Sequence, residues 1–182
     1  MTIRVVLQSI AKGSILVDNA ERYVNVGRGM IVYIAFLDDI DDTALQRAVT
    51  TIMTAKVLQR PSLEEKEEGS SQFITSLEEW RDADILVVPQ ATLGGKLKGR
   101  NVQFHSLVNK TRGLELFSRF CQLLREARGI DTNTVDANGS PLETIASVDG
   151  SCSASRVING TYGNRQGLRF ESDGPLSHFL DL

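Results

Sequence analysis

Asp84-Ile85-Leu86-Val87-Val88-Pro89-Gln90-Ala91-Thr92-Leu93 is a short apolar run that meets a proline and turns polar, with Gly94-Gly95 behind it. An apolar run of this length without alternation is the mark of a strand covered on both faces, inside a sheet and not at its edge. Pro89 has no N–H to donate and a fixed φ, so the strand is expected to end there. Gln90, Ala91 and Thr92 then stand at the end of a rigid support, where a reacting group is held with little freedom.

The flanking sequence supplies the rest of a sheet and two helices. Apolar stretches at 3–7, 15–17, 23–26 and 30–36 are separated by Gly13, Asp18-Asn19 and Gly27-Arg28-Gly29, which reads as an antiparallel meander of four strands. Asp42 stands as a cap before Leu45, Val49, Ile52, Met53 and Val57, which recur at helical spacing until Pro61. A second helix is expected over 113–127, with Leu114, Phe117, Phe120, Cys121 and Leu124 as its inner stripe and Gly129 as its stop. A strand near 162–170, a turn at Ser172-Asp173-Gly174-Pro175 and a last strand over 179–182 follow. The expected fold is α/β of the α+β type: a mainly antiparallel twisted or barrel-like sheet with two principal helices, in one domain over 1–182. Two stretches stand outside it, a polar acidic loop at about 61–72 and a polar insertion at about 129–160.

With 182 residues, 41% of them hydrophobic, the chain can bury roughly 70% of its unfolded surface. Cys121 and Cys152 are too few for a disulfide framework, and Cys121 among phenylalanines reads as a core thiol. The longest apolar run, 30–37, is too short to span a bilayer, and no signal-peptide core precedes it. A cytoplasmic protein with no membrane partner is expected, so the sequons at Asn109, Asn138 and Asn159 should carry no sugar. A formal charge of −3 hides an uneven distribution: from 94 to 128, Lys96, Lys98, Arg100, Lys110, Arg112, Arg119, Arg125 and Arg128 face only Glu115 and Glu126. Such a stretch can follow a phosphate backbone.

Familiar catalytic sets are missing. His105 and His178 are the only histidines and lie far apart in sequence, so no metal is expected. There is no G-x-S-x-G elbow, and Gly27-Arg28-Gly29 precedes a strand instead of a helix, so neither a serine hydrolase nor a dinucleotide cofactor is indicated. An enzyme of this composition needs no cofactor only if oriented backbone donors and the substrate's own groups do the work.

Four motifs in order, Ile3-Arg4-Val5-Val6-Leu7-Gln8, Val26-Gly27-Arg28-Gly29, Pro89-Gln90-Ala91-Thr92-Leu93 and Gly174-Pro175-Leu176-Ser177, resemble those of the D-aminoacyl-tRNA deacylase family. D-specific members carry S-Q-F-T-L and N-x-G-P-V-T, with arginine where this chain has Ser9. Pro89, Ala91 and the Leu176-Ser177-His178 ending are closer to the animal-type branch, with P-Q-A-T-L and T-N-G-P-Y-T-H, whose chiral filter is relaxed. The resemblance implies translational proofreading: hydrolysis of the ester of mischarged tRNA, whether D-aminoacyl, glycyl or small L-aminoacyl such as L-alanyl. Its alternatives are a strictly D-specific deacylase and a non-catalytic nucleic-acid-binding dimer of the same fold.

The resemblance also implies a homodimer with a site at the interface, where Gly174-Pro175 of one subunit enters the partner's pocket, in a cis or trans state that sequence leaves open. Gln90, Ala91 and Thr92 are the expected catalytic residues, with backbone N–H groups around Ala91 and Thr92 facing the oxyanion and the ribose 2′-hydroxyl helping to activate water. Thr92 is read as a positioner, with a nucleophilic role as the alternative. Gln90 either shapes the pocket or is a strand-end amide bonded to backbone. Pro89, Gly174, Pro175, Ser177 and His178 are expected to bind substrate, and Lys96, Lys98 and Arg100, directly behind the motif, to hold the 3′ acceptor end of tRNA.

Overall fold

Asp84–Pro89 is an inner strand of a five-stranded sheet. The structure, a computed structural model, describes residues 3–61, 73–104, 107–142, 155–174 and 176–182. Chain order is β1 (Ile3–Ile10), β2 (Lys12–Leu16), β3 (Tyr23–Val26), β4 (Gly29–Phe36), α1 (Asp42–Thr54), β5 (Leu58–Arg60), β6 (Phe73–Thr75), β7 (Asp84–Pro89), a 3-10 turn (Ala91–Gly94), β8 (Lys96–Lys98), β9 (Asn101–Gln103), α2 (Lys110–Ala127), a second 3-10 turn (Thr132–Thr134), β10 (Val157–Asn159), β11 (Leu168–Glu171) and β12 (Ser177–Asp181).

The large sheet has the order β10-β7-β4-β1-β12, and a smaller one the order β11-β2-β3. One face of β7, Ile85 and Val87, packs with the helix residues Leu45, Ile52, Phe117 and Phe120; the other, Leu86 and Val88, packs with Ile15, Val17 and Val26 of the smaller sheet region. That double coverage is why the strand is apolar at every position from Ile85 to Val88. β7 runs parallel to β4 and β10, whereas β1 is antiparallel to β4 and β12, and neither sheet closes into a barrel. The fold is therefore α+β, with an open sheet that is part parallel.

The expected meander differs. β1 pairs with β4, in the register Ile3↔Phe36, while β2 and β3 pair with each other in the second sheet. Only Ala11 separates β1 from β2, too few residues for the usual two-residue hairpin loop, so the chain bends out of the first sheet into the second. Helix α1 is capped by Asp41, whose side chain accepts from Ala44 N at 2.8 Å, and it ends at Thr54, leaving 58–60 to β5. Helix α2 begins earlier than expected because Asn109 caps it, accepting from Arg112 N at 3.0 Å. Its buried face holds Leu116 and Leu123 with Phe117, Phe120, Cys121 and Leu124, and Leu114 is exposed. Burial pushes the Cys121 thiol up to about 12, which makes it inert; Cys152 lies outside the described residues.

The expected insertion at 129–160 is too wide. Ile130 N donates to Arg125 O at 2.9 Å, Asp131 caps the second 3-10 turn, Val135 bridges to Pro141, and Val157 and Ile158 are core residues of β10. A three-residue strand is too short to show a period. Residues 143–154, and the acidic stretch at 62–72, lie outside the described residues. At the start of β7, the Arg128 guanidinium donates to the carbonyls of Leu77, Trp80, Arg81 and Ala83, and the Arg60 guanidinium carbon lies 5.7 Å from the centre of the Trp80 ring.

Candidate functional site

Pro89 ends β7 beside Ile34, and Gln90 N donates to Ile34 O at 2.8 Å, so the motif leaves the sheet from a fixed point. The chain then tightens into the 3-10 turn, closed by Leu93 N to Gln90 O at 3.2 Å and Gly95 N to Thr92 O at 3.0 Å. The backbone N–H groups of Ala91 and Thr92, first in that turn, have no acceptor among the described residues. From β1, Arg4 Nη1 donates to Leu93 O at 2.9 Å and Nε reaches Asp181 at 3.4 Å, pinning the turn to the sheet. Gly94 admits a close neighbour, since a Cβ there would lie 2.5 Å from Leu107 Cδ2.

The motif forms one wall of a cavity of about 580 Å³, a size that suits a small ligand. Pro89, Gln90, Ala91 and Thr92 face Leu107, Val108 and Lys110 at the start of α2 and the loop residues Tyr162, Gly163, Asn164 and Gln166. The expected strand near 162–170 is this loop, and β11 begins only at Leu168. The loop is tied down at both ends. Gly160 N donates to Val87 O at 2.9 Å, Thr161 Oγ1 to Val17 O at 2.7 Å, Asn138 Nδ2 to Asn159 O and Thr161 Oγ1 at 3.0 Å each, and Gln166 Nε2 to Thr161 O at 2.7 Å. Tyr162 packs on Phe117 with centroids 5.6 Å apart, and its hydroxyl lies where a Cβ on Gly113 would be. Burial raises the Tyr162 phenol above its ordinary value, so it stays protonated at neutral pH.

The cavity holds no carboxylate or imidazole among its described lining residues. Thr92 is exposed and no base faces its hydroxyl there, and the Gln90 side chain lines the cavity without a backbone partner among the described residues. Among the described residues no group of three His, Cys, Asp or Glu side chains could hold a metal ion, and no helix is long and apolar enough to cross a membrane.

Lys96, Lys98 and Arg100 project from the hairpin of β8 and β9, all exposed, around a turn in which Gly99 takes φ +63°. The remainder of the basic stretch is neutralised or buried: Arg112 pairs with Asp39 and Glu115, Arg119 with Asp42 and Glu126, and Arg125 and Arg128 lie in the interior. Lys110 is the exception, and it lines the cavity.

Gly174, Ser177 and His178 are not at this cavity in the single chain. Ser177 pairs with Gln8 and His178 with Leu7, whereas Pro89 is level with Ile34 and hence with Val5 and Leu180, three strands away. Strand spacings put Ser177 roughly 15 Å or more from Pro89. Gly174 is held by Ser172, whose Oγ donates to Gly174 O at 2.6 Å or Ser9 O at 2.9 Å, while buried Ser9 Oγ accepts from Gln59 N at 3.1 Å. Pro175 and its peptide bond, and His105, lie outside the described residues. Sequence reasoning missed the loop of Tyr162, Gly163, Asn164 and Gln166, and it passed over Arg4 as a mere motif letter; a polar loop has no period to betray it.

Residues 6–181 match the sequence pattern described as D-Tyr-tRNA(Tyr) deacylase. The chain is 50% identical over 184 residues to a putative D-tyrosyl-tRNA(Tyr) deacylase 2 of Leishmania major, covering 97% of this chain and 99% of that protein. It is 36% identical over 167 residues to the D-aminoacyl-tRNA deacylase 2 of Homo sapiens, covering 91% and 83%. A solved structure described as a probable eukaryotic D-amino acid tRNA deacylase superposes with a TM-score of 0.87 at 50% identity, over 100% of both chains. With its motif at the end of β7 and a match over nearly its whole length, the chain belongs to the D-Tyr-tRNA(Tyr) deacylase family, hydrolases of the ester bond in aminoacyl-tRNA.

Proposed function

We propose that the chain is a cytoplasmic proofreading enzyme that hydrolyses the ester of mischarged tRNA at Ala91 and Thr92, with a relaxed chiral filter. One observation carries the reading: Ala91 and Thr92, whose backbone N–H groups have no acceptor among the described residues, line a cavity with no base among its described lining residues. A tetrahedral oxyanion formed at the ester carbonyl takes both donors, each worth about 3 kcal/mol in the transition state. With no base to take a proton from Thr92, that residue orients the ester, and the substrate's own 2′-hydroxyl helps to activate water. Gln90 and Pro89 shape the pocket. Ala91 presents only a methyl group, which leaves room beside the α-carbon of a glycyl or L-alanyl ester. Lys96, Lys98 and Arg100 receive the acceptor-end phosphates.

The same reading takes the enzyme as a homodimer. Gly174, Ser177 and His178 stand at the wrong end of their own sheet, but β12 is an edge strand with exposed Phe179. An isologous antiparallel contact along that edge carries the Gly174-Pro175 end of one copy towards the end of the partner's sheet that holds the 3-10 turn. Light scattering should give a dimer; a monomer with full activity refutes the shared site.

Strict D-selectivity is the second reading, favoured by the D-aminoacyl descriptions of the relatives. Deacylation of D-tyrosyl-, glycyl- and L-alanyl-tRNA decides between them. Turnover of L-alanyl-tRNA supports the relaxed filter, hydrolysis of the D-ester without L-alanyl turnover supports the strict one, and three intact substrates leave a nucleic-acid-binding dimer.

A further inference from the structure

We infer that Lys110 receives the 5′-phosphate of the substrate's terminal nucleotide and so sets which way round the aminoacyl nucleoside lies in the cavity. The inference rests on the deacylase reading above and adds to it a residue and an orientation. Lys110 is the only charged side chain among the described residues that line the cavity. It opens helix α2 directly after the Asn109 cap, and the first turn of that helix contains no acid. Farther along, Arg112 and Arg119 are each held by two carboxylates, whereas Lys110 has no carboxylate partner among the described residues. Its stem lies along Gly163, where a Cβ would be 3.1 Å from Lys110 Cε and 3.4 Å from Nζ, and where φ is +84°. Glycine at that position lets the ammonium rest against the loop that forms the far wall.

The charges of the substrate complete the argument. A 3′-aminoacyl nucleotide carries one nearby anion, its 5′-phosphate, and one cation, the α-ammonium next to the ester. Lys110 and the positive end of α2 attract the first and repel the second. The amino acid is thereby turned towards Pro89, Gln90, Ala91 and Thr92, where the unpartnered N–H groups are. A reversed substrate would bring two ammonium groups together.

The test uses two non-hydrolysable ligands, 3′-deoxy-3′-(alanylamino)adenosine with and without a 5′-phosphate, titrated calorimetrically into the unmodified full chain, Lys110→Met and Lys110→Arg. The unmodified protein should prefer the phosphorylated ligand by about tenfold, the scale of one charge-assisted hydrogen bond at a partly solvated site. In Lys110→Met that preference should fall to about twofold or less, and Lys110→Arg should recover most of it. With charged tRNA, Lys110→Met should raise KM far more than it lowers kcat, and reduce the slope of log affinity against log salt by about 0.7. An undiminished preference in Lys110→Met, or an equal loss for both ligands, overturns the assignment and leaves the deacylase reading standing. If the unmodified protein binds neither ligand, both fall.

Discussion

At its N-terminal end β7 starts with Asp84, whose buried carboxylate accepts from Gly27 N at 2.6 Å, from Arg156 N at 2.7 Å and from Arg156 Nη2 at 2.8 Å. Beside it Arg128 satisfies four carbonyls of the preceding turn. At the other end of the same strand, Ala91 and Thr92 keep N–H groups with no acceptor among the described residues. The two ends share a backbone and a core but treat polar groups in opposite ways. Apart from the buried Arg128 Nε, which has no partner among the described residues, matched donors and acceptors concentrate stability at the start of β7, and exposed donors at its finish stay free for a charge that arises only during reaction.

Asp84→Ala should be the most damaging change, about 3–5 kcal/mol in a urea melt, because it strands Arg156 and two backbone donors. A loss below 1 kcal/mol would remove the contrast between the ends. Arg128→Met should follow at about 2–3 kcal/mol, through carbonyls left without a donor. Arg4→Met is the crossing case. Its guanidinium is partly exposed, so stability should fall by less than about 1 kcal/mol, yet deacylation should slow by about tenfold as the 3-10 turn loses its tie at Leu93. Equal losses of stability and rate would make Arg4 part of the saturated end.

The smallest effect concerns pH. Desolvation alone would raise the Asp136 carboxyl, but hydrogen bonds from Arg22, Ser140 N and Asn138 N outweigh it and hold the group below its ordinary value. A depressed folded pKa contributes stability that is full above the unfolded value, near 4, and is lost as pH falls through the folded value. Because Arg22 is largely exposed, that contribution should stay below about 1 kcal/mol. Urea midpoints at pH 5 and pH 3 should differ less in Asp136→Asn than in the unmodified protein.

Most of the saturated end was invisible in the sequence, because Asp84, Arg128 and Arg156 are distant in the chain and carry no motif. Arg128 reads there, with Arg125, as part of a basic stretch, and the structure turns both inwards. The three sequon asparagines are similar. Asn109 caps α2, Asn138 holds the site loop, and Asn159 accepts from buried Arg125. The inner strand, both helices and the position of Gln90, Ala91 and Thr92 at a strand end were legible, since each is a local pattern of apolar residues and breakers. Which strands pair was not, because one residue between β1 and β2 redirects the chain and only packing shows it.

Trp80 is the only tryptophan in the sequence, and it sits at the saturated end beneath Arg60, 9% exposed. Tyrosine, by contrast, is represented at the cavity wall by Tyr162. Selective excitation of indole therefore gives an optical signal that follows unfolding and stays flat while the cavity fills. Trp80 also lines a second cavity with Asp84, Arg128 and Arg156, so a ligand titration that changes tryptophan emission reports on that end of β7 and not on occupancy of the cavity at Ala91 and Thr92.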